Sequence, residues 1–280
     1  MLGAIIGDII GSRFEFRSTK KTDFKFFDPH CYYTDDSVMT IAVSEWLVDD
    51  PGHTNEILEE KLVKYGNLDP RRGYGGTFFR WLFSPIDLSS DGIRRPYNSF
   101  GNGSAMRVSS VGWMFNTLDE TEHVAEISSS ITHNHPEGIK GAQATAAAIF
   151  MARNGKSKEE IKNYITTRYG YNLDRSIDEI RPDYRFDVSC QGSVPESIIA
   201  FLDGYDYESV IRLAVSLGGD SDTQACIAGG IAEAFYGIPD EIVTQVVNYL
   251  PEEYEISIIN FGEKSAYKSH IEQIRKCWKL

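Results

Sequence analysis

The sequence lacks the features that mark membrane-spanning and disulfide-rich proteins. No apolar run approaches the roughly eighteen residues that a membrane-spanning helix requires. The four cysteines, Cys31, Cys190, Cys226 and Cys277, are widely spaced without a Cys-x-x-Cys pair, which argues against a zinc knuckle and favours a reducing compartment. The apolar N-terminal stretch has no basic region and is interrupted by Asp8, so we expect no signal peptide and a cytoplasmic protein.

Basic residues are also in short supply. Lysine and arginine number 28 against 41 aspartates and glutamates, and the formal net charge of −13 opposes binding to nucleic acid or to anionic lipid. We therefore expect neither a nucleic acid nor a membrane among the partners. The chain has 280 residues, of which 41% are hydrophobic, and it contains no linker-like tract. We expect a single domain over residues 1–280 and a monomer.

Alternating strand patterns are scarce as well, and the only short candidates lie at 24–27 and 185–188. Helix-start signals dominate instead, including capping boxes formed by Asp119 with Glu122 and by Ser157 with Glu160. Further helices are expected after Pro136 and near residues 3–12, 54–65, 74–83, 104–115, 195–203, 207–217, 222–236, 239–249 and 265–277. The pattern predicts an all-α fold, a compact orthogonal helical bundle whose chemistry lies in a cleft at converging helix ends.

The stretch "YTDDSVMT" places two carboxylates, Asp35 and Asp36, at the start of a helical apolar pattern that begins at Val38. Acids at helix starts commonly satisfy free backbone N–H groups and the helix dipole, so capping alone explains one such residue. The stretch "GGDSDTQA" repeats the pattern near the other end of the chain. Its D-x-D spacing directs two carboxylates to one side of a loop, which suits a hard cation, although capping again explains either acid alone.

Taken together, the two stretches supply four carboxylates and two hydroxyl groups: Thr34, Asp35, Asp36, Asp220, Asp222 and Thr223. Four acids that meet without counterions would repel one another, so if they meet, we expect them to surround metal ions. Ligands made only of oxygen disfavour zinc. A pair of Mg²⁺ or Mn²⁺ ions about 4 Å apart is therefore the expected occupant.

The first helix carries a different pattern, "GAIIGDIIGSRFE". Gly3, Gly7 and Gly11 are four residues apart, which predicts close packing against another helix and does not match a dinucleotide-binding fingerprint. Asp8 interrupts the apolar helix, and Glu15 lies just beyond its end. Either carboxylate needs a partner if the fold buries it.

Two glycine-rich loops lead into helices and contain Gly73, Gly75 and Gly76 in one, and Gly101, Asn102, Gly103 and Ser104 in the other. Ordinary turn chemistry explains either loop alone. Two such loops beside a dinuclear centre favour a diphosphate ligand, because exposed N–H groups at helix starts bind phosphate. In "THNHPEG", His133 and His135 either hydrogen-bond a substrate or cap carbonyl groups.

In this order, from Gly3 to Tyr236, these motifs resemble the ADP-ribosylglycohydrolase family, which includes the dinitrogenase-reductase-activating type of enzyme. The resemblance implies an all-α bundle with two Mg²⁺ or Mn²⁺ ions in a cleft. By position it implies metal ligands at Thr34, Asp35, Asp36, Asp220, Asp222 and Thr223, and an acid at the cleft mouth at Glu15. It also implies that the glycine loops hold the diphosphate, with Ser104 and Met106 beside it and His133 near the ribose.

The reaction implied is hydrolysis of the bond between ribose C1 and an acceptor in an ADP-ribosylated protein or other ADP-ribose conjugate. Protein arginine is the first expectation for the acceptor, with serine-linked and O-acetyl conjugates as alternatives. Glu15, Asp36 and Asp222 are the candidates for catalytic acid–base residues. A phosphohydrolase that splits the diphosphate and a catalytically silent binding protein are the rival functions, and the filled ligand positions favour the enzyme.

Overall fold

Helix α1, Leu2–Gly11, is buried at all ten of its residues, and other helices pack around it. The computed structural model describes residues 1–84 and 94–279. These residues form sixteen α-helices: α1 Leu2–Gly11, α2 Asp35–Asp49, α3 Asn55–Leu68, α4 Gly76–Phe83, α5 Gly103–Met106, α6 Val111–Met114, α7 Leu118–Ser130, α8 Pro136–Arg153, α9 Lys158–Tyr169, α10 Ile177–Ile180, α11 Cys190–Asp203, α12 Tyr207–Ser216, α13 Ser221–Tyr236, α14 Asp240–Val246, α15 Glu252–Glu263 and α16 Lys268–Trp278. Neither described range contains a strand, so the prediction of an all-α fold is confirmed.

Glycines bring α1 into direct contact with the backbone of α13. A methyl group on Gly7 would lie 2.0 Å from the carbonyl oxygen of Ala225, and one on Gly11 would lie 2.4 Å from that of Ser221. Real Cβ atoms do not approach other atoms so closely, because packing at that distance is strongly repulsive. The small-residue stripe predicted from the sequence is therefore confirmed as a helix-packing feature.

Helix starts follow the capping signals in some places and not in others. The capping box of Ser157 and Glu160 is present at the start of α9. The predicted box at Asp119 is wrong, because the N-cap of α7 is Thr117, two residues earlier, whose side chain accepts from the N–H of Glu120. Helix α11 begins at Cys190 rather than at the predicted Pro195, which lies inside the helix.

Other helix predictions need correction at their ends or interiors. The single helix expected at 104–115 is divided into α5 and α6, and the one expected at 239–249 ends as α14 at Val246 and continues as a 3₁₀ turn, Val247–Tyr249. Helix α15 was not predicted, and the start expected for the last helix lies three residues before Lys268, where α16 begins. The missed α15 buries Tyr254, Ile258 and Phe261, which recur at helical spacing.

The two predicted strands are also wrong, although one of them lies next to an isolated β-bridge. Residues 185–188 run beside the second glycine loop, where the N–H of Asn102 donates to the carbonyl of Val188 and the N–H of Cys190 donates to that of Phe100, each at 2.8 Å. Only one isolated bridge, between Gly101 and Ser189, results within the described ranges. A strand needs a continued ladder of such bonds, and the segment enters α11 before it can form one.

Disulfide bonds and membrane-spanning helices were both unexpected from the sequence, and the folded chain can be examined for each. All four cysteines are free. Across residues 1–84 and 94–279, none of the helices combines the length and the apolar character that crossing a membrane requires.

Candidate metal centre

The starts of α2, α5 and α13 meet the end of α1 at a cleft of about 430 Å³. Most residues predicted for the site line this cleft: Glu15, Asp35, Asp36, Gly73, Gly75, Gly76, Gly101, Asn102, Gly103, Met106, His133, Asp220, Asp222 and Thr223. Thr34 and Ser104 are buried behind the wall of the cleft. The Ser104 hydroxyl donates to the carbonyl of Gly138 at 2.7 Å, so this side chain is occupied within the fold.

Asp8 joins α1 to the start of α2. Its Oδ2 accepts from the backbone N–H of Thr34 at 2.9 Å, from that of Ser37 at 3.1 Å, and from the Ser37 hydroxyl, while its Oδ1 accepts from the Thr34 hydroxyl at 2.6 Å. A carboxylate on a separate helix thus satisfies N–H groups at a helix start, where the dipole also favours negative charge. The sequence analysis identified Asp8 as an acid in need of partners, but did not place it in the site.

Six carboxylates collect around this point: Asp8, Glu15, Asp35, Asp36, Asp220 and Asp222. Oxygen atoms of Asp8, Asp36 and Asp222 lie within 4.8 Å of one another, and so do those of Glu15, Asp220 and Asp222. No lysine, arginine or histidine of the described ranges forms an ion pair with any of the six. Buried charges without partners are strongly unfavourable, so this cluster calls for cations from outside the chain.

Burial raises the pKa of these acids in the metal-free protein, and neighbouring carboxylates add to the shift for Asp36 and Glu15. Burial, followed by the charges of Asp8, Asp35 and Asp220, raises the pKa of Asp36 well above its usual range. Burial raises the pKa of Asp8 to about 6. For Glu15, burial and then the charges of Asp220 and Asp8 raise the pKa to about 7. Each shift has the sign that a bound cation would reverse.

One fully buried oxygen atom of the cluster is left without any partner among the described residues. The Oδ1 atom of Asp36 is buried and has no hydrogen bond within the described part of the chain. Its Oδ2 atom lies 3.3 Å from the Thr223 hydroxyl and 3.4 Å from that of Thr34. An unpartnered carboxylate oxygen among oxygen donors fits a hard divalent cation such as Mg²⁺ or Mn²⁺ better than zinc. The acidic residues can therefore form a metal site.

Helix capping accounts for only part of what these aspartates do. Helix α2 is capped by the Thr34 side chain, which accepts from the N–H of Asp36, together with Asp8. Asp220 precedes α13 but makes no capping hydrogen bond, and its Oδ2 instead accepts from the Asn102 side chain at 2.7 Å. At the start of α13, Oδ1 of Asp222 accepts from the N–H of Thr223 at 3.0 Å. Capping is therefore a role that Asp222 has in part, whereas Asp36 and Asp220 have none of their carboxylate oxygens on the N–H of a described helix start.

Two helix starts with free backbone N–H groups lie at the same cleft, which Gly76, Thr77 and Gly103 line. In the first glycine loop, Gly73 has a φ of +96°, and α4 begins at Gly76. The N–H groups of Gly76 and Thr77 at this start, and those of Gly103 and Ser104 at the start of α5, have no acceptor among the residues the structure describes. Such groups are donors available to an anion.

The two histidines have different roles in the structure. His135 caps α8, because its Nδ1 accepts from the N–H of Glu137 at 3.1 Å. His133 is buried with its ring at the cleft, where a methyl group on Gly103 would lie 3.1 Å from its Nε2. Burial and then the charge of Arg107 hold the pKa of His133 well below its usual range. The histidine that the resemblance placed near the ribose is therefore the one at the cleft.

Several cleft residues were not anticipated from the sequence. Phe16 and Phe186 are exposed at the rim beside Glu15, with ring centroids 6.4 Å apart. Tyr97 and Arg107 line the inner wall. An aromatic residue in a loop carries no sequence signal that distinguishes a rim position from a core position. For Phe16, its place next to Glu15 was the only available indication.

Comparison with known proteins identifies relatives along nearly the whole chain. The model of the family described as ADP-ribosylglycohydrolase matches residues 1–266. The chain is similar to ADP-ribosylhydrolase ARH3 of Mus musculus, at 24% identity over 98% of this chain and 90% of that protein, and to ADP-ribosylhydrolase ARH3 of Homo sapiens, at 26% identity over 85% and 84%. It is similar to ADP-ribosylarginine hydrolase Tri1 of Pseudomonas putida (strain GB-1), at 25% identity over 98% and 75%. A solved structure described as an ADP-ribosylglycohydrolase-related protein complex has the same fold, with a TM-score of 0.69 and 22% identity over 94% of this chain and 95% of that one.

Proposed function

The chain belongs to the ADP-ribosylglycohydrolase family and is a glycohydrolase enzyme, and we propose that it releases ADP-ribose from a conjugate by hydrolysis at ribose C1 with the help of two divalent cations. The observation that carries the proposal is the cluster of six carboxylates, four of them buried, that has no basic partner within the described ranges and opens to a cleft lined by residues with free backbone N–H groups. The cluster suits cations, and the N–H groups suit the diphosphate of ADP-ribose.

The groups that would hold the cations are the carboxylates and hydroxyls at two helix starts: Thr34, Asp35, Asp36, Asp220, Asp222 and Thr223. The all-oxygen set favours Mg²⁺ or Mn²⁺. When bound, such ions lower the pKa of a coordinated water and bind the hydroxyl groups of a ribose. The Thr34 hydroxyl donates to Asp8 and accepts from the N–H of Asp36, so one lone pair of its oxygen is left for a cation.

Glu15 is our choice among the three candidates for the residue that accepts the proton of the attacking water. Asp36 and Asp222 are buried within the carboxylate cluster, whereas Glu15 is partly exposed at the cleft mouth. A general base must exchange its proton with solvent in every cycle, which the mouth position permits. The developing positive charge on the ribose ring is stabilised by the same negative cluster.

The diphosphate would lie against the two glycine loops. The N–H groups of Gly76 and Thr77 on one side, and those of Gly103 and Ser104 on the other, are free to donate to phosphate oxygens. Ser104 would contribute through its backbone, since its hydroxyl already donates to Gly138. Met106 lines the cleft beside this loop and supplies an apolar contact.

The acceptor is constrained by the relatives more than by the cleft. The Pseudomonas putida relative is by its name an ADP-ribosylarginine hydrolase, whereas the name of the ARH3 relatives specifies no acceptor. Cleavage at ribose C1 would serve arginine-linked, serine-linked and 1-O-acetyl conjugates alike, because these three substrates differ only in the group attached to C1. We take arginine as the first acceptor to test and the other two as its competitors.

The deciding experiment incubates the protein and Mg²⁺ with peptides ADP-ribosylated on arginine or serine and with O-acetyl-ADP-ribose, followed by mass spectrometry. We expect free ADP-ribose and an unmodified acceptor from at least one substrate, and no turnover in excess EDTA until Mg²⁺ or Mn²⁺ is restored. Formation of AMP would instead identify a diphosphate hydrolase. Binding of ADP-ribose without turnover of any conjugate would identify a silent binding protein, and full turnover in EDTA would contradict the metal assignment.

A further inference from the structure

Arg107 is buried at the inner wall of the cleft, with 1% of its surface exposed. Its Nη2 donates to the carbonyl oxygen of Ser128 at 2.7 Å and to the hydroxyl oxygen of Thr132 at 2.9 Å. A guanidinium group can only donate hydrogen bonds. The Thr132 hydroxyl oxygen is therefore an acceptor in this contact, and its own proton must be directed elsewhere.

The only other partner of that hydroxyl within the described ranges is the neighbouring histidine. The Thr132 Oγ1 atom lies 2.7 Å from Nδ1 of His133. If Thr132 donates, then Nδ1 of His133 accepts and carries no proton. In the opposite arrangement Nδ1–H would donate to Thr132, and the buried hydroxyl proton would be left without an acceptor, which is the costly state for a group withdrawn from water.

The ring of His133 is neutral in this environment. Burial, followed by the nearby charge of Arg107, holds the pKa of His133 well below its usual range. A neutral imidazole carries one proton, so with Nδ1 accepting, the proton is on Nε2. That nitrogen faces the second glycine loop, since a methyl group would lie 3.1 Å from it if placed on Gly103 and 3.5 Å if placed on Gly101.

We propose that Arg107 and Thr132 are positioning residues that hold His133 as its neutral Nε2–H tautomer, so that this N–H donates a hydrogen bond to an oxygen of ADP-ribose in the cleft. The part that concerns the ligand rests on the proposed function, whereas the tautomer is a property of the free protein. The arrangement fixes the imidazole as a donor, which suits phosphate and ribose oxygens and gives no hydrogen bond to a ligand N–H. It also explains why a charged side chain, Arg107, is buried at a position where an apolar residue would otherwise suffice.

The first test is the nitrogen spectrum of the free protein labelled with ¹⁵N-histidine. Long-range ¹H–¹⁵N correlation distinguishes protonated from unprotonated ring nitrogens in each of the six histidines, and a His133→Gln variant identifies the signals of His133. We expect Nε2 of His133 to be protonated and Nδ1 to be unprotonated at neutral pH. A proton on Nδ1, alone or together with one on Nε2, would overturn the proposal.

The second test removes the hydroxyl that connects the two side chains. Thr132→Val keeps the shape of the side chain, and we expect it to mix the tautomers of His133 and to weaken ADP-ribose binding about five- to tenfold in calorimetry, the effect of one lost hydrogen bond. Thr132→Ser retains a hydroxyl and should preserve both the spectrum and the affinity. In the His133→Gln background, Thr132→Val should cause no further loss.

The outcomes separate this inference from the proposed function. If folded Thr132→Val keeps both the His133 tautomer and the affinity for ADP-ribose, the positioning role is overturned. If Thr132→Ser loses as much affinity as Thr132→Val, the effect of position 132 is one of packing and not of the hydroxyl group. If Thr132→Val does not fold, the wild-type spectrum and the serine variant decide. If the wild-type protein shows the expected tautomer but binds no ADP-ribose, the proposed function and the ligand contact fail, while the assignment of the tautomer stands.

Discussion

Asp8 accepts hydrogen bonds from both the backbone N–H and the hydroxyl group of Thr34, at 2.9 and 2.6 Å. Asp36 lies in the same carboxylate cluster, yet one of its oxygens has no partner. The two carboxylates therefore differ in how many of their oxygens have hydrogen-bond partners. Asp8 already has its full set of donors from the chain, whereas Asp36 has an oxygen in position for a ligand, and their amide variants should behave differently.

Asp8→Asn should destabilise the metal-free protein. An asparagine places an NH₂ group against Thr34 or Ser37, which are themselves donors, and an unmade buried hydrogen bond costs about 1–3 kcal/mol. The free energy of unfolding is measured with urea in EDTA. The control is Asp36→Asn, which removes a charge from the same cluster and so shows how much stability is gained by relieving the repulsion alone. Equal stability of the two variants would show that the bonds of Asp8 contribute no net stability.

Asp36→Asn and Asp222→Asn should fold normally and lose most hydrolysis. A neutral amide oxygen offsets less of the desolvation of a dication than a carboxylate does, and added Mn²⁺ should recover part of the rate. The rise in melting temperature on adding Mn²⁺ should also shrink, through linkage. The control is Asp49→Asn at the exposed end of α2, where the carboxylate pairs only with Lys61. Near-wild-type hydrolysis at limiting metal would contradict the ligand assignment.

The stability of the metal-free protein should fall as the pH rises from about 4 to about 7. Folding raises the pKa of Asp8 to about 6 and that of Glu15 to about 7, so in this window the folded chain binds more protons than the unfolded chain. The stabilising contribution is complete below the ordinary pKa values of these acids and is lost as the pH passes the folded values.

Urea unfolding at several pH values in EDTA measures this effect, and Glu15→Gln should lose the upper part of the slope. With Mn²⁺ bound the dependence should weaken, because the cation favours the ionised carboxylates. The lowered pKa values of His53, His133 and His270 act in the opposite sense, but the six acids of the cluster, all with raised pKa, outnumber these three histidines. Acids whose pKa is lowered, such as Glu160 at about 2, act only at the acid end of the window. A free energy of unfolding that stays constant or rises between pH 4 and 7 in EDTA would mean that folding does not raise the pKa values of the cluster acids.

Gly103→Val should weaken ADP-ribose binding without unfolding the chain. The added side chain would begin 3.1 Å from Nε2 of His133 and would extend into the space where a ligand meets the loop. Isothermal calorimetry with ADP-ribose measures the affinity, and circular dichroism measures the fold. The matched control is Gly52→Ala in the exposed turn after α2. Unchanged affinity of Gly103→Val for ADP-ribose would mean that the glycines of this loop serve only to form a turn.

Gly7→Ala should be among the most destabilising single substitutions in the chain, at about 3 kcal/mol or more. Its methyl group would meet the carbonyl oxygen of Ala225 at 2.0 Å, so one of two buried helices must move. Gly230→Ala on α13 is the matched control, because its methyl group would lie 3.3 Å from Ile149, a side chain that can adjust. Denaturant unfolding compares the two, and similar costs would show that α1 and α13 are loosely packed.

Much of the fold was predictable because local signals determine helices. The capping box at Ser157 and the apolar spacing from Val38 describe structure that forms between near neighbours in sequence. Predictions failed where tertiary contacts decide the outcome. The segment at 185–188 pairs with the second glycine loop through a single hydrogen bond at Val188 and forms no strand. The proline that marked the expected start of α11 lies inside a helix that Ser189 caps six residues earlier.

The candidate site was predictable in its residue types and less so in its connections. The pairs Asp35–Asp36 and Asp220–Asp222 were identified from sequence because each lies next to a helix start. The partners of Asp8 were not, since Thr34 is 26 residues away and no spacing rule connects an acid inside one helix to the start of another. The same limit applies to Arg107, whose contact with Thr132 exists only after α7 packs over the short helix beside it.

The glycine contacts between α1 and α13 also bear on how the carboxylate cluster could be altered. Asp8 and Asp222 are carried by these two helices, and at Gly7 and Gly11 the helices touch main chain to main chain. No side chain lies between them there whose exchange for a larger or smaller one would widen or narrow the gap. Adapting the centre to an ion of different radius would therefore require changing the length of the ligating side chains themselves, for example from aspartate to glutamate.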